Sequence, residues 1–96
     1  MPTLQDITER RQEVLRTARR HGARNVRLFG SVVRGEAEAR SDVDVLVELE
    51  EGRSLLDHVA LKQDLEDLLG CPVDVVTENA LHRLLRERIL EEAMPL

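Results

Sequence analysis

Two short valine-rich segments with aspartates inside them constrain this chain most. They are residues 42–49 (DVDVLVEL) and residues 72–77 (PVDVVT). Alternating side chains and abundant valine are typical of β-strands, in which successive side chains point to opposite faces of the sheet. Asp42 and Asp44 therefore share one face of the first strand, and the valines between them share the other. Asp74 repeats this arrangement in the second strand.

Charged groups inside valine strands are unfavourable, because they oppose strand propensity and lose hydration when buried. If the two strands lie side by side, their three carboxylates gather on one face and raise one another's pKa values. A divalent cation relieves that repulsion, so we interpret Asp42, Asp44 and Asp74 as metal ligands. Hard oxygen donors without a supporting Cys or His favour Mg²⁺, or Mn²⁺, over Zn²⁺.

Other interpretations of the Asp42–Asp44 pair can be compared on the sequence. A solvated strand start is the simplest alternative. A calcium loop of the EF-hand type is excluded, because its sixth and twelfth positions require Gly and Glu. Counted from Asp42, those positions hold Val47 and Arg53.

A phosphate site is expected beside such a magnesium site, and the Gly30-Ser31 pair fits one. The pair follows a predicted strand at residues 25–29 and opens a turn with a short helix at residues 30–38. Glycine lets a phosphate approach the backbone closely. The first amides of the helix and the Ser31 hydroxyl can then donate hydrogen bonds to the anion.

Arg34, one helical turn further on, has two interpretations. It contacts the phosphates, or it is a structural partner of Glu36, Glu38 or an active-site carboxylate. Ser41 is expected to be a turn hydroxyl before the strand and not a catalyst.

Helical patterns occupy the chain around the three strands. The last helix is expected to be apolar on more than one side, which indicates either a frayed tail or a surface for a partner or a second copy. The expected caps and helix ends are Thr3 and Gly22, Ser54 and Gly70, and Thr77 or Asn79 for the last helix. The residues expected to face inward are Leu55, Val59, Leu65 and Leu69, followed by Leu81, Leu84, Leu85 and Ile89.

The resulting order is αβαβαβα, which predicts an α/β (α+β) fold. We expect a small mixed sheet of three or four strands with helices packed on it. The 96 residues are near the usual size of one domain, so residues 1–96 are predicted to form a single domain.

Composition narrows the classes of function. The net charge is −5, and the chain has one Phe and no Tyr or Trp, so direct nucleic-acid binding is not expected. A single cysteine excludes a disulfide or a thiolate zinc site within the chain. The sequence contains no apolar run of membrane-spanning length and no signal peptide, and the expected location is the cytoplasm.

The stretch FGSVVRGEAEARSDVDVLV resembles the signature of the nucleotidyltransferase superfamily that includes DNA polymerase beta: Gly-Ser, ten residues, then Asp-x-Asp. Arg34-Gly35 and Ser41 make it more similar to the minimal nucleotidyltransferase (MNT) group. The resemblance covers most of the chain, since PVDVVT matches the strand that carries the third carboxylate.

The resemblance implies a role for each candidate site residue. Asp42 and Asp44 would bind two Mg²⁺ ions, and Asp74 would help to bind a metal and act as, or position, the base. Gly30 and Ser31 would hold the β- and γ-phosphates of ATP. An acceptor hydroxyl would then attack the α-phosphate and release pyrophosphate.

The acceptor follows from the resemblance and not from the residues themselves. MNT antitoxins work beside a HEPN-domain toxin, an RNase, and transfer AMP from ATP to one of its tyrosines. The implied partner is therefore a HEPN toxin. Independently of the resemblance, the apolar end at residues 90–96 makes a homo- or hetero-oligomer through the C-terminal helix an open alternative. A non-catalytic nucleotide-binding antitoxin that inhibits by contact is the alternative. Modification of a small molecule is a third possibility, although such enzymes usually carry an added domain.

Overall fold

The structure, a computed structural model, describes residues 2–36 and 42–96. Glu38 and Ser41 lie outside these residues, so their expected roles stay predictions. A single turn of 3₁₀ helix, Glu78–Ala80, precedes the last helix. The other elements are α1 (Leu4–Glu9), α2 (Arg11–Arg20), β1 (Ala23–Phe29), α3 (Ser31–Arg34), β2 (Val43–Leu49), α4 (Leu55–Leu69), β3 (Val73–Thr77), α5 (Arg83–Glu92) and β4 (Met94–Pro95).

The four strands form one mixed sheet in the order β3–β2–β1–β4, which confirms the predicted fold class. β1 is antiparallel to both β2 and β4, whereas β2 and β3 are parallel. Parallel neighbours need a crossover connection, and α4 provides it. Within the described residues, no helix combines the length and the apolar character needed to cross a membrane.

One face of the sheet forms the core. Its valines and leucines pack beneath α2 and α4. Each fully buried side chain stabilises the folded state by about 1.5–3 kcal/mol relative to an exposed one. The largest contributors with under 2% exposure are Ile7, Val14, Leu28, Val43, Val45, Val47, Leu61, Leu65 and Val73.

A bulge in β1 decides which of its residues reach this core. Asn25 has a positive φ of 52°, and the register with β2 shifts between Arg24 and Arg27. Asparagine tolerates this left-handed conformation better than most residues. After the bulge, Leu28 points into the core, so Arg27 and Phe29 face the other side of the sheet.

The predicted caps of the first helices are confirmed. Thr3 and Ser54 each accept a backbone hydrogen bond and form reciprocal capping boxes with Asp6 and Asp57. α4 ends at Gly70, whose φ of 70° is the left-handed conformation that glycine adopts most easily. The helix expected between Thr3 and Gly22 is divided at Arg10 into α1 and α2.

The predictions for α5 were wrong in two respects. The side chain of His82 caps the helix, because residues 78–80 already form the 3₁₀ turn. Leu84 and Leu85, expected to face inward, are 82% and 50% exposed. Leu55 and Val59 at the start of α4 are likewise exposed, because that helix buries Leu61 and Leu65 instead.

α5 is held to the sheet largely through charged groups, since it has no fully buried residue. The Arg86 guanidinium donates to the Glu78 carbonyl and carboxylate at 2.9 and 3.2 Å. Glu78 also accepts a 3.1 Å hydrogen bond from Arg27, which is only 9% exposed on β1. Glu78 thus connects α5 to the middle of the sheet.

The outer edge of β3 is covered by side chains of α4. The Val73 N–H donates to the Glu66 carboxylate at 3.0 Å, and His58 Nε2 donates to the Val75 carbonyl oxygen at 2.6 Å. An edge strand normally leaves such groups free to pair with another strand. Here Glu66 and His58 occupy two of them.

Candidate active site

The sheet register brings two of the predicted acids side by side. Asp44 of β2 is the direct partner of Asp74 in the parallel pair, and Phe29 of β1 is opposite Asp44 on its other side. Neighbouring strands are about 4.8 Å apart, so the two carboxylates emerge close together from the face that α2 and α4 leave free. Asp42 lies exposed immediately before β2.

Asp44 has the clearest electrostatic perturbation in the site. Partial burial is the largest cause and, together with the negative charges of Asp74 and Asp42, raises the pKa of Asp44 to about 6. The Arg34 guanidinium opposes this shift, while Glu92 adds to it. The five charged groups therefore act on one small region of the sheet surface.

Gly30 lies directly against the Asp44 carboxylate. A Cβ atom at Gly30 would be 2.2 Å from Asp44 Oδ2, far inside van der Waals contact. Its backbone angles, φ 77° and ψ −152°, also fall in a region that is almost restricted to glycine. The glycine thus lets the chain turn from β1 into α3 while remaining close to the carboxylate.

Ser31 and Arg34 lie on the four-residue helix α3 that follows this turn. Ser31 is its first residue and is partly exposed. Arg34 donates to Glu36 at 2.9 Å and to Glu92 at 2.6 Å, and both contacts raise the pKa of its guanidinium. Arg34 therefore has the structural partners that one of its two interpretations required. Glu36 was expected from the sequence, whereas Glu92 was not.

The acids fit a hard divalent cation by their chemistry. They supply carboxylate oxygens on one face, and burial together with the neighbouring Asp74 and Asp42 charges raises the pKa of Asp44, which a bound cation would lower. Among residues 2–36 and 42–96, however, no three Asp, Glu, His or Cys side chains already converge as a metal site. The side chains share a surface without forming a closed ligand shell.

A cleft of about 630 Å³ lies at the opposite ends of β2 and β3. It is lined by charged residues that already pair with one another, including Arg53 with Glu50 and Arg86 with Glu78. Since its charges are mutually satisfied, size alone does not make this cleft the reaction site. The acid-bearing face has the more reactive chemistry.

Comparison with known proteins agrees with this geometry. The profile of the nucleotidyltransferase domain family matches residues 11–96. A relative from Methanocaldococcus jannaschii, which carries the provisional name protein adenylyltransferase, is 46% identical over 89 residues, covering 93% of this chain and 96% of its own. The protein adenylyltransferase MntA of Thermococcus cleftensis is 45% identical over 75 residues, or 78% and 76% of the two chains.

Solved structures show the same fold. One provisionally described as a minimal nucleotidyltransferase has a TM-score of 0.88 and 55% identity, over 99% of this chain and 97% of the other. A toxin–antitoxin structure with AMP-PNP has a TM-score of 0.74 over 88% and 69% of the two chains, and at 21% identity it shows the fold alone. This chain belongs to the nucleotidyltransferase domain family and is a nucleotidyltransferase of the minimal kind.

Proposed function

We propose that this nucleotidyltransferase moves AMP from ATP, with Mg²⁺, to a hydroxyl group of a protein, and that the acceptor is a tyrosine of a HEPN-domain toxin. The protein would then act as the antitoxin of that pair. The names of its relatives and the toxin–antitoxin complexes among its structural neighbours support this proposal.

The observation that carries the proposal is the row of groups across the sheet. The Gly30 turn lies at the end of β1, Asp44 lies on β2 against that turn, and Asp74 lies on β3 in register with Asp44. The proposal assigns the phosphates to the Gly30 end of this row and the acceptor to the end with the exposed carboxylate of Asp74. That order matches a reaction in which nucleotide and acceptor approach from opposite sides.

Each group has a defined task in this reaction. The Gly30 turn and Ser31 would bind the β- and γ-phosphates, and Arg34 would add positive charge beside them. Asp42, Asp44 and Asp74 would hold magnesium, which supplies charge neutralisation for the triphosphate when bound. Mg²⁺ usually takes few carboxylates together with phosphates and water, which agrees with an open set of acids.

The chemical step balances without a covalent enzyme intermediate. The acceptor oxygen forms a bond to the α-phosphorus, and the bond from that phosphorus to the bridging oxygen breaks. Pyrophosphate leaves with the bonding electron pair, and Asp74 accepts or directs the hydroxyl proton. Asp74 suits this task because it is exposed on the edge strand, where an acceptor from another chain can reach it.

The test is transfer of label from ATP to the partner. The protein, ATP labelled at the α-phosphate, Mg²⁺ and a HEPN-domain protein from the same organism are incubated together. We expect label on the partner, reduced at least about 100-fold by Asp42→Asn or Asp44→Asn. Asp67→Asn, an exposed aspartate on α4, is the matched control and should retain full activity.

An inhibitor that acts by contact alone is the alternative function. It would bind and silence the partner with no label transferred, and its inhibition would survive Asp42→Asn and Asp44→Asn. That pattern in the same assay would replace the proposal.

A further inference from the structure

The structure assigns a positioning role to Glu92: its carboxylate holds the Arg34 guanidinium beside the Gly30 turn, oriented for the phosphates of the nucleotide. This assignment rests on the proposed function. It identifies a residue outside the Gly-Ser and Asp-x-Asp motifs as part of the nucleotide site.

The first support is the contact itself. Arg34 Nη1 lies 2.6 Å from Glu92 Oε1, a short charge-assisted hydrogen bond. The Glu92 side chain is only 19% exposed, whereas that of Arg34 is 43% exposed. The acid is thus the fixed partner, and the arginine is the one that faces solvent and an incoming ligand.

The second support is how the chain brings Glu92 to this place. β4 follows α5 directly and pairs with β1, with Met94 opposite Leu28 and Pro95 opposite Arg27. Glu92 is the last residue of α5 and lies two residues before Met94, so this pairing holds the end of the helix close to the end of β1. The two-residue strand therefore fixes the end of α5 next to the turn between β1 and α3.

The third support is the position of both charges relative to the acids. The Gly30 turn lies against the Asp44 carboxylate, and α3 begins directly after this turn with Arg34 as its last residue. Arg34 and its partner Glu92 therefore lie beside the turn that is proposed to bind the phosphates. A flexible arginine that is oriented in advance loses less side-chain entropy when a ligand binds.

Glu36 is a weaker holder of the same guanidinium. Its contact with Arg34 Nε is 2.9 Å, but its side chain is 64% exposed and lies two residues away on the same segment. An exposed local pair contributes little and adapts easily. The orientation of Arg34 depends more on the long-range partner.

The experiment measures how tightly the protein binds an ATP analogue in the presence of Mg²⁺. The analogue has a methylene bridge between its α- and β-phosphates, so it cannot react. Calorimetry gives Kd for the wild type, Glu92→Gln, Arg34→Ala and the double variant. We expect Glu92→Gln to raise Kd about fivefold, the size of one exposed ion pair. In the Arg34→Ala background the same change should have no further effect, because its effect passes through Arg34.

Two matched variants separate positioning from charge and from folding. Glu91→Gln removes the same charge from the neighbouring, exposed residue of α5 and should leave Kd unchanged. Glu92→Asp keeps the charge but shortens the reach, and it should weaken binding as Glu92→Gln does. Thermal unfolding of each variant confirms that the fold is retained. In the transfer assay, Glu92→Gln should raise KM for ATP and leave kcat within about twofold.

The outcomes are distinct. Glu92→Gln with wild-type or tighter binding, or with the same weakening in the Arg34→Ala background, overturns the assignment and leaves the proposed function intact. A wild-type protein that binds neither the analogue nor ATP with Mg²⁺ overturns both.

Discussion

Val43, Val45 and Val47 on one face of β2 are almost wholly buried beneath α2 and α4, whereas Asp44 lies between them on the opposite face with a raised pKa. The seven residues of β2 thus supply both core side chains and one of the three candidate acids, Asp44. The difference follows from the two-residue period of a strand, because adjacent side chains point to opposite faces and have different surroundings. One face is wholly apolar, whereas the other combines Asp44 with the buried Leu46. Substitutions on the two faces should therefore have different effects on stability and activity.

The largest effect on stability is expected on the packed face. Leu65→Ala, at a fully buried position of α4, should lower the free energy of unfolding by about 3 kcal/mol through lost burial and a cavity. Leu84→Ala on α5 is the control, since that leucine is 82% exposed and should change stability by under about 0.5 kcal/mol. Urea unfolding of both variants measures this. Similar losses would mean that α5 packs more tightly than the structure shows.

Gly30→Ala should affect both the fold and the candidate site, because it strains the backbone and displaces Asp44. We expect a loss of about 2 kcal/mol in the free energy of unfolding. Gly70→Ala provides the comparison: its φ is also positive, at 70°, but no atom lies within 4 Å of the added Cβ. It should lose about 1 kcal/mol. Equal losses would show that the contact with Asp44 adds nothing.

Asp44→Asn should stabilise the protein at neutral pH. The folded state raises the pKa of Asp44 to about 6, from about 4 in an unfolded chain, so the folded state binds the proton more tightly. Wild-type stability therefore falls as pH rises from 4 to 6, and the variant escapes this loss. After allowance for solvent screening, we expect a gain of about 1 kcal/mol at pH 7.5 and none at pH 4.

Unfolding in a chelator-containing buffer, with Asp67→Asn as the control, measures this difference. A variant that is less stable than the wild type at pH 7.5 would contradict the view that Asp44 is retained against stability.

The smallest effect on stability is expected at Glu78, whose carboxylate forms ion pairs with Arg27 and Arg86. The hydrogen bond from Arg27 lowers the pKa of Glu78, with Arg86 acting in the same direction. The pair therefore stabilises the fold above the ordinary pKa of glutamate, and the contribution is lost as pH falls through the lowered value. Glu78→Gln should reduce Tm at pH 7 but converge with the wild type in acid, while the exposed Glu87→Gln should change Tm little at either pH.

Features that depend on nearby residues could be predicted from the sequence. The capping boxes at Thr3 and Ser54 and the helix end at Gly70 involve residues at most four positions apart. The alternation of Val and Asp likewise assigned each side chain to a face. These patterns also sufficed for the mixed sheet and its fold class.

Features that depend on distant residues could not be predicted in the same way. The inward stripe expected on α5 was wrong for Leu84 and Leu85, which are exposed. The helix is tied instead by Arg86 to Glu78 and by Glu92 to Arg34. The latter pair is separated by 58 positions in the chain. β4 has only two residues, one of them proline, and carries no strand signal of its own.

The hydrogen-bonded outer edge of β3 has a consequence for the proposed approach of an acceptor to Asp74. With Val73 N–H and Val75 C=O already bonded to Glu66 and His58, an incoming polypeptide finds few main-chain partners along that side. It therefore cannot easily add to the sheet as a further β-strand. A protein acceptor is therefore expected to present a single protruding side chain from above the carboxylates, and recognition would depend on surface shape more than on backbone pairing.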